Sequence, residues 1–346
     1  MRVAIATVQV PFISGGAEMM TEGLRHALLA AGHEVEVVTM PFRFGPPSAV
    51  AACMKAWQEQ DFSFFDAGRV DKVIALKFPA IYLRHPDKRV WLAHQHRSVY
   101  ELWDTPFGEQ SSHPEALKLR ADILRQDTES LRQARCVFTI SPTVSERLLR
   151  FNGLASEPLL QPPPEAERFE DLVPLPYVFV PSRLEQLKRQ DLLIRAMQRV
   201  KAPLVAVIAG DGGQRHAYES LARERGLDRR VLFLGRIDAD ALRRWYAQAF
   251  AVFFAPLQED YGFITLEAML SARPVITCHD SGGPTHFVVD GETGLVTDPT
   301  PESVAHAIDN LWSGRARARR MGRAGRAHYE AMNIKWDRVV STLLAD

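Results

Sequence analysis

The chain has 346 residues, enough for two domains, because a domain averages roughly 150 residues. Hydrophobic residues make up 46% and charged residues 24%, the mix of a folded globular protein, which excludes disorder as the main state. Lys plus Arg and Asp plus Glu both number 42. The resulting net charge of zero argues against a dedicated nucleic-acid-binding protein, so no nucleic-acid partner is expected.

The cysteines and the chain start indicate the compartment. Cys53, Cys136 and Cys278 are odd in number and far apart, so we expect buried thiols in a reducing cytosol. The apolar run that begins at Val3 is too short for a signal peptide, and no stretch approaches the roughly 18 apolar residues of a membrane span. We therefore expect a cytoplasmic protein, with peripheral attachment to the inner face of the membrane as an alternative.

The N-terminal half begins with a strand, a glycine loop, a helix and a second strand, which together form one βαβ unit. These elements are predicted at Val3–Val8, Ser14–Gly16, Ala17–Ala31 and Val35–Thr39. Further strands are predicted at Lys72–Leu76, Arg89–Ala93 and Cys136–Ile140, and a helix at Pro114–Gln133.

A proline-rich segment, Pro158–Pro176, separates this half from a second βα alternation, and we interpret it as the linker between domains. Strands are then predicted at Tyr177–Pro181, Leu204–Ala209, Val231–Leu234, Ala251–Ala255 and Pro274–Thr277. Helices are predicted at Lys188–Val200, Gln214–Arg225, Ala239–Ala249 and Phe263–Ala272. Because the strands are apolar throughout, we expect a parallel sheet that is covered on both faces.

The pattern predicts an α/β protein with two Rossmann-like, doubly wound parallel-sheet domains. We place the N-terminal domain at residues 1–165, the C-terminal domain at 166–330 and a final helical segment at 331–346. Ligands of such folds bind at the carboxyl ends of the strands, so we expect the site in the crevice between the two domains.

Two glutamates lie near the start of a predicted helix. Glu259 lies in the loop before this helix, the helix begins near Gly262, and Glu267 follows about one and a half turns later. Free amides at a helix N-terminus suit a diphosphate, and a carboxylate inside the helix can accept hydrogen bonds from a ribose diol. The alternative is a solvated loop carboxylate and a surface helix residue, although the helix around Glu267 is mostly apolar.

Charged residues and glycine turns follow other strands of this half. Arg183 and Lys188 can together neutralise a diphosphate leaving group, with ordinary surface charge as the alternative. The turns Gly210–Gly213 and Ser281–Pro284 can cradle a polar ligand through backbone amides or serve as tight turns. The GxGxxG dinucleotide fingerprint and the GxxxxGK[ST] phosphate loop are both absent from the sequence.

In the N-terminal half, His94, His96 and Arg97 follow a predicted strand, and Tyr100 comes shortly after. Because strand ends face the expected crevice, these residues are candidates for acceptor binding. One histidine packed inside and the other exposed is the alternative. No third ligand has suitable spacing from the two histidines, so we expect no metal site.

In this order the motifs resemble the retaining GT-B glycosyltransferases of family 4, over most of the chain. The matching motifs are Gly15-Gly16-Ala17-Glu18, Arg183-Leu184 with Lys188, Gly210-Asp211-Gly212, Glu259 and Glu267 around Tyr261-Gly262, Gly282-Gly283-Pro284, and Gly291-Glu292-Thr293-Gly294-Leu295. The resemblance implies the GT-B fold, with the C-terminal helix packing back across the domains. It implies transfer of a hexose-type sugar from a UDP- or GDP-linked donor to a hydroxyl acceptor, with retained configuration.

The resemblance also implies roles for single residues. The donor site would comprise Gly15, Gly16, Arg183, Lys188, Gly210, Gly212, Glu259, Gly262, Phe263, Ile264 and Glu267. Within it, the catalytic residues would be Glu259, Arg183 and Lys188, joined by His94 from the N-terminal half. His96, Arg97 and Tyr100 would face the acceptor, which is a saccharide, a lipid-linked saccharide or a small molecule. The resemblance implies no metal or other cofactor.

One departure from the family pattern is that Thr285-His286 stands where a glutamate often follows the Gly-Gly-x-Pro turn. A GT-B phosphorylase or a nucleotide-sugar hydrolase would share the same donor site and stays an alternative. An NAD(P)-dependent oxidoreductase and a non-catalytic sugar-binding protein are weaker alternatives. The family resemblance also suggests a role in surface polysaccharide or glycoconjugate synthesis.

The C-terminal part of the chain carries a run of arginines at positions 315, 317, 319, 320, 323 and 326. A patch for an anionic membrane surface and a solvated basic helix face both fit this run, and we favour the second. Acceptor choice is expected to depend on the loops Pro41–Asp66 and Trp103–His113.

Overall fold

The computed structural model describes residues 1–13, 15–66, 68–108 and 114–345, so Ser14 and the last five residues of the loop Trp103–His113 lie outside the description. The chain divides into two compact units. Unit 1 comprises Met1–Gln161 and Lys335–Asp346, and unit 2 comprises Pro162–Ile334.

Unit 1 alternates strands and helices in the order that the sequence predicts. Its elements up to Gln161 are β1 (Arg2–Gln9), α1 (Gly16–Ala30), β2 (Glu34–Pro41), α2 (Pro47–Gln58), β3 (Phe64–Phe65), β4 (Gly68–Arg69), β5 (Lys72–Ala75), β6 (Lys88–Leu92), α3 (Pro114–Arg132), β7 (Cys136–Thr139), α4 (Pro142–Asn152) and β8 (Glu157–Pro158). Six strands form one parallel sheet in the order β2-β1-β5-β6-β7-β8. The strand order therefore reverses between β1 and β5.

Unit 2 repeats this architecture with a second parallel sheet. Its elements are β9 (Tyr177–Pro181), α5 (Gln190–Met197), β10 (Val205–Ala209), α6 (Arg215–Glu224), β11 (Val231–Gly235), α7 (Ala239–Gln248), β12 (Ala251–Phe253), α8 (Phe263–Leu270), β13 (Val275–Cys278), α9 (Gly283–Phe287), β14 (Gly294–Thr297), α10 (Pro301–Ser313) and α11 (Arg315–Met332). The strand order is β11-β10-β9-β12-β13-β14, so it reverses between β9 and β12. The predicted pair of doubly wound parallel sheets is confirmed.

Local chemistry explains why these elements form. In α1, Met20, Leu24 and Leu28 recur every four residues and are buried, which gives the helix one apolar face toward the sheet. Strand β9 is buried at every position, as a strand covered on both faces must be.

The last helix, α12 (Trp336–Leu344), belongs to unit 1. Its Trp336 packs on Trp91 of β6 and on α1, where a Cβ added to Gly23 would lie only 2.2 Å from the indole. The Arg89 guanidinium donates to the Leu343 carbonyl at 2.9 Å. Glycine at position 23 is therefore what lets α12 lie directly on α1.

Some elements differ from the prediction. The helix expected at Lys188–Val200 is a 3₁₀ turn, Gln186–Lys188, followed by α5, because Arg189 between them adopts a left-handed conformation at φ +52°. Helices α2 and α4 and strand β14 were not predicted.

Candidate functional site

The central contact of unit 2 joins the loops that follow β9 and β12, where the strand order reverses. Lys188 Nζ lies 2.6 Å from Glu259 Oε2, and the two side chains are 17% and 19% exposed. The same ammonium lies 5.6 Å from the centre of the Phe254 ring. Open α/β sheets bind ligands at such a reversal, so topology brings together two residues that the sequence assigned to the donor site. Arg183, from the same loop as Lys188, is exposed.

The turn Gly210–Gly213 packs backbone to backbone against the loop that carries Arg183. The Leu184 amide donates to the Asp211 carbonyl at 3.1 Å. Gly210 has φ +134°, and a Cβ there would lie 2.1 Å from the Ser182 carbonyl oxygen. A Cβ on Gly212 would lie 2.5 Å from the Leu184 carbonyl oxygen. Both glycines therefore allow a close approach of two loops, and their contact with a donor stays a prediction.

A similar backbone contact fixes the loop of Glu259. Its amide donates to the Ser281 carbonyl at 2.8 Å, and its carbonyl accepts from the Gly283 amide at 2.7 Å. Gly282 has φ +71°, and a Cβ there would lie 2.5 Å from the Glu259 carbonyl oxygen. The Gly-Gly-Pro turn therefore sets the position of the Glu259 backbone.

The N-terminus of α8 lies directly after this loop. Gly262 precedes the helix with φ +98° and ψ +58°, a left-handed conformation that glycine adopts without strain. The first-turn amides, including those of Phe263 and Ile264, have no carbonyl partner within the helix, so they can donate to an anion. Tyr261 is buried and packs edge-on against Phe263 and Phe287, which fixes the chain before the helix.

Glu267 lies inside α8 and is only 8% exposed. Its Oε2 accepts a hydrogen bond from the Tyr246 hydroxyl at 2.6 Å. Burial raises the pKa of Glu267 to about 7, while the hydrogen bond from Tyr246 opposes this rise. Of the two alternatives that the sequence left open, a surface helix residue is wrong, and a buried carboxylate with one occupied oxygen is found.

Arg189 is a residue of this region that sequence reasoning missed. Its guanidinium forms two hydrogen bonds of 2.7 Å with the Asp280 carboxylate. It also donates to the carbonyls of Ala255 and Pro256 at 2.7 and 2.9 Å. One side chain thus ties the loop after β9 to the loops after β12 and β13. Its position directly after Lys188 was the only sequence signal available.

Unit 1 also holds a lysine and a glutamate where its strand order reverses. Lys77 follows β5, and its Nζ lies 3.2 Å from Glu18 Oε1 in the first turn of α1. The other carboxylate oxygen accepts from the Gly15 amide at 2.8 Å. Gly15 and Gly16 thus lie at the start of α1, as predicted, and Lys77 was missed although it directly follows a predicted strand.

The two histidines that follow β6 have different surroundings. His94 is half-buried, and its Nδ1 donates to the Gln95 carbonyl at 2.8 Å. His96 is 4% exposed, and its ring stacks on Phe78 at 4.9 Å. Burial, with a smaller contribution from His94, lowers the pKa of His96 to about 4, so this ring is neutral at pH 7. The alternative of one packed histidine therefore describes His96 better than an open acceptor contact does.

Arg97 and Tyr100 are bound within unit 1. Arg97 Nε lies 2.6 Å from Glu101 Oε1. Tyr100 is 2% exposed, and its hydroxyl donates to the buried Asp127 carboxylate at 2.6 Å. The Tyr82 hydroxyl donates to the other oxygen of Asp127 at the same distance. These contacts hold Tyr100 inside unit 1, and its contact with an acceptor stays a prediction.

The described residues show neither a grouped set of metal ligands nor a helix that could span a membrane. Within residues 1–13, 15–66, 68–108 and 114–345, no three His, Cys, Asp or Glu side chains are grouped as metal ligands. In the same part of the chain, every helix is too short or too polar to cross a bilayer.

Comparison with known proteins shows what this chain is similar to. Residues 166–328, which lie within unit 2, match the family model described as glycosyl transferases group 1. The chain is 34% identical over 174 residues to the GDP-mannose-dependent alpha-(1-6)-phosphatidylinositol monomannoside mannosyltransferase of Mycolicibacterium smegmatis, covering 46% of this chain and 44% of that protein. It is 32% identical over 189 residues to the D-inositol 3-phosphate glycosyltransferase of Kribbella flavida, covering 51% and 43%. The matches thus span less than half of these relatives' length.

Solved structures match almost the whole chain. Sucrose-phosphate synthase from Thermosynechococcus elongatus superposes with a TM-score of 0.79 at 21% identity, covering 99% of this chain and 96% of that one. Anabaena Alr3699/HepE in complex with UDP and glucose superposes with a TM-score of 0.72 at 19% identity, covering 99% of both chains. At these identities the likeness establishes the fold, and the GT-B fold predicted from the motifs is confirmed. Over residues 166–328, the chain is similar to the glycosyl transferases group 1 family.

Proposed function

We propose that the protein is a glycosyltransferase that moves a hexose-type sugar from a nucleoside-diphosphate sugar to a hydroxyl acceptor with retained configuration. The observation that supports it most is the 2.6 Å pair of Lys188 and Glu259 next to the N-terminus of α8. A cation, a carboxylate and free helix amides in one place are what a sugar diphosphate requires.

Unit 2 would bind the donor through its diphosphate and its ribose. Arg183, Lys188 and the first amides of α8 neutralise the diphosphate, whose negative charge grows as the sugar leaves. Lys188 then moves its hydrogen bond from Glu259 to a phosphate oxygen, which releases Glu259 to accept from a sugar hydroxyl. Glu267 accepts from the ribose hydroxyls while Tyr246 holds one carboxylate oxygen at 2.6 Å.

The proposed reaction breaks the bond between the anomeric carbon and the leaving phosphate oxygen with oxocarbenium character. The acceptor hydroxyl attacks from the same face, forms the new C–O bond and gives its proton to an oxygen of the departing diphosphate. Arg183, Lys188 and the α8 amides stabilise the charge on the diphosphate at this step. Metal-free catalysis stays a prediction, to be tested with a chelator.

Unit 1 would supply the groups around the acceptor and the reacting sugar. His94 is the catalytic candidate of unit 1, because its Nδ1 is occupied by a backbone carbonyl and its other nitrogen is the one available to a ligand. Gly15 and Gly16 lie at the start of α1, where the backbone can approach a sugar phosphate closely. The acceptor itself, whether saccharide, lipid-linked saccharide or small molecule, is unassigned.

The donor can be identified by measuring the melting temperature of the protein with UDP, GDP, ADP and their glucose and mannose forms, with EDTA present. A ligand at a hundred times its Kd adds about 2.7 kcal/mol and raises the melting temperature. The relatives name GDP-mannose and the HepE structure holds UDP, so both bases belong in the panel. A shift with one nucleotide that EDTA leaves unchanged supports the proposal. A shift with NAD(P) alone contradicts it, and a product of inverted anomeric configuration contradicts retention.

A further inference from the structure

An apolar cavity lies at the amino edge of the unit 2 sheet, at the opposite strand ends from Lys188 and Glu259. Its volume is about 300 Å³. Pro176, Phe250 and Pro274, which each directly precede a strand, form part of its wall, and Trp312 of α10 forms another part. Because donor sites of such sheets lie at the carboxyl edge, this cavity has no place in the proposed transfer reaction.

Exposed apolar side chains continue the cavity onto the surface. Leu172, Val173 and Leu175 are 40%, 73% and 45% exposed, and Leu175 also lines the cavity. Single exposed apolar residues are ordinary, but three within four positions beside an apolar cavity form a patch of the kind that marks an interaction site. Their backbone is fixed, since the Leu172 amide donates to the Ala247 carbonyl at 3.1 Å.

A row of arginines borders this patch. Helix α11 carries six arginines and one glutamate, so its net charge is +5 in a chain whose net charge is zero. Arg315, Arg319 and Arg323 follow each other at one-turn spacing on its exposed side. The first two line the cavity, and Arg323 Nε lies 3.9 Å from Asp171, next to the exposed apolar segment.

The buried face of α11 fixes the orientation of this row. A Cβ added to Gly322 would lie 2.1 Å from the Ala272 carbonyl oxygen, so the helix lies directly on the turn after α8. The Arg315 guanidinium stacks over the Trp312 ring at 4.8 Å. The basic row and the apolar patch are therefore held side by side.

We propose that this surface, made of the Leu172–Leu175 segment, Trp312 and the arginine row of α11, docks unit 2 on a membrane that contains anionic phospholipid. The apolar side chains enter the boundary between headgroups and acyl chains, and the guanidinium groups bind the phosphates at that level. A second copy of the chain docked through the same surface would set two arginine rows against each other, which like-charge repulsion disfavours. The proposal does not depend on glycosyl transfer.

The test is co-sedimentation of the full chain with vesicles. One vesicle type is phosphatidylcholine alone, and the other contains phosphatidylcholine and phosphatidylglycerol. We expect binding to the anionic vesicles, little binding to the neutral ones, and release as salt rises. Equal binding to both types, or binding to neither, would overturn the proposal.

Two triple variants test whether the arginine row is the part of the surface that binds the vesicles. Each basic residue near an anionic surface strengthens binding about fivefold, so Arg315→Gln/Arg319→Gln/Arg323→Gln should weaken binding more than about tenfold. The matched control is Arg223→Gln/Arg229→Gln/Arg244→Gln, which removes the same charge from exposed positions elsewhere in unit 2 and should keep most of the binding. An equal loss in both triple variants would show that overall charge, not this surface, is responsible.

A further variant changes the apolar side chains of the surface without disturbing the fold. Val173→Gln/Leu175→Gln alters only exposed side chains, so the melting temperature should stay within a few degrees while vesicle binding falls several-fold. Wild-type vesicle binding in this variant would sink the apolar half of the proposal. If light scattering shows a wild-type dimer that the arginine variant loses, the surface is a contact between copies and the membrane proposal is wrong.

Discussion

Each unit brings a lysine and a glutamate together where the strand order of its sheet reverses, yet the two pairs differ in burial and in anchoring. In unit 2, Lys188 and Glu259 are 17% and 19% exposed. In unit 1, Lys77 is 7% exposed and Glu18 is 33% exposed. Glu18 also holds the Gly15 amide at the start of α1, whereas Glu259 lies in a loop.

Because of this difference, the Lys188–Glu259 pair can exchange partners, whereas the Lys77–Glu18 pair stabilises the start of α1. The Glu18 carboxylate is already shared between a helix amide and an ammonium, so neither oxygen is free for a ligand without a loss elsewhere. Lys188 and Glu259 are both partly open to solvent, so a diphosphate can replace the carboxylate at the ammonium. The reversal of strand order is therefore not sufficient for a binding site. Whether the carboxylate can bind a ligand depends on what else it already contacts.

The largest expected effect is on turnover in unit 2. Lys188→Met removes the charge that would neutralise the leaving diphosphate, and kcat should fall about 10²- to 10³-fold. Glu259→Gln should lower kcat more than it lowers nucleotide affinity. Lys77→Met should cost less than about tenfold, because Lys77 acts on Glu18 rather than on the leaving group. Initial rates with the donor found in the nucleotide panel give these values.

The control for this comparison is Lys201→Met, an exposed lysine of unit 2 at the amino edge of the sheet. It should turn over like the wild type. If Lys77→Met lost as much turnover as Lys188→Met, the two pairs would be equivalent in the reaction and the distinction drawn between them would be wrong.

The second effect concerns one glycine of each unit, Gly210 directly after β10 and Gly15 directly before α1. Gly210→Ala places a Cβ 2.1 Å from the Ser182 carbonyl oxygen at φ +134°, and should lower the unfolding free energy by about 3 kcal/mol. Gly15→Ala meets only Glu18 Oε2 at 3.8 Å in an extended conformation and should change it by less than about 0.5 kcal/mol. Urea unfolding of both variants measures this contrast. Similar losses of unfolding free energy would contradict the conclusion that a Cβ is excluded at Gly210 but tolerated at Gly15.

Most of the fold follows from the sequence, because hydrophobic runs and glycine turns are local signals. Strand β9 was predicted with the bounds that it has, and α1 was displaced by one residue. The errors lie where tertiary contacts override local preference. Lys188 was assigned to a helix, but the hydrogen bonds of Arg189 to Asp280, Ala255 and Pro256 hold that neighbour in a left-handed conformation that interrupts it.

The site was predictable only where a residue belongs to a local motif. Glu259 and Glu267 were identified from their spacing around Gly262, whereas Tyr246 lies 21 positions from Glu267 and no spacing rule connects them. Lys77 meets Glu18 across 59 positions. Such partners depend on which strands are neighbours, and that order is set by the packing of the whole sheet.

The third effect compares a buried carboxyl in each unit. Burial raises the pKa of Glu267 from 4.5 to about 7 and that of Asp127 from 3.8 to about 6. The folded chain thus holds each proton more tightly than the unfolded chain. The associated stability is present below the unfolded pKa and lost as pH rises through the folded pKa. Between about pH 4.5 and 7, the wild type should lose on the order of 3 kcal/mol of unfolding free energy through Glu267, and Glu267→Gln should abolish this loss.

Nucleotide-sugar binding distinguishes the two carboxyls further. In the proposed donor site, ionised Glu267 would accept from the ribose hydroxyls, so wild-type donor affinity should rise up to about tenfold between about pH 6 and 8. This rise should vanish in Glu267→Gln and persist in Asp127→Asn, since Asp127 is bound by Tyr82 and Tyr100 inside unit 1. Calorimetric titration with the intact nucleotide sugar measures the affinities, and a pH-independent wild-type affinity would contradict the ribose role.

The smallest expected effect concerns the Lys77–Glu18 pair of unit 1. Glu18→Gln leaves the Lys77 ammonium, 7% exposed, without its counter-charge and weakens the cap on Gly15, which should cost about 2 kcal/mol. Lys77→Met removes the buried charge itself and leaves Glu18 on the Gly15 amide, so it should cost less than about 1 kcal/mol. Adding Lys77→Met to Glu18→Gln should then recover stability in urea unfolding, because the methionine removes the uncompensated charge. A double variant less stable than Glu18→Gln alone would mean that Lys77 supports unit 1 through contacts other than its pair with Glu18.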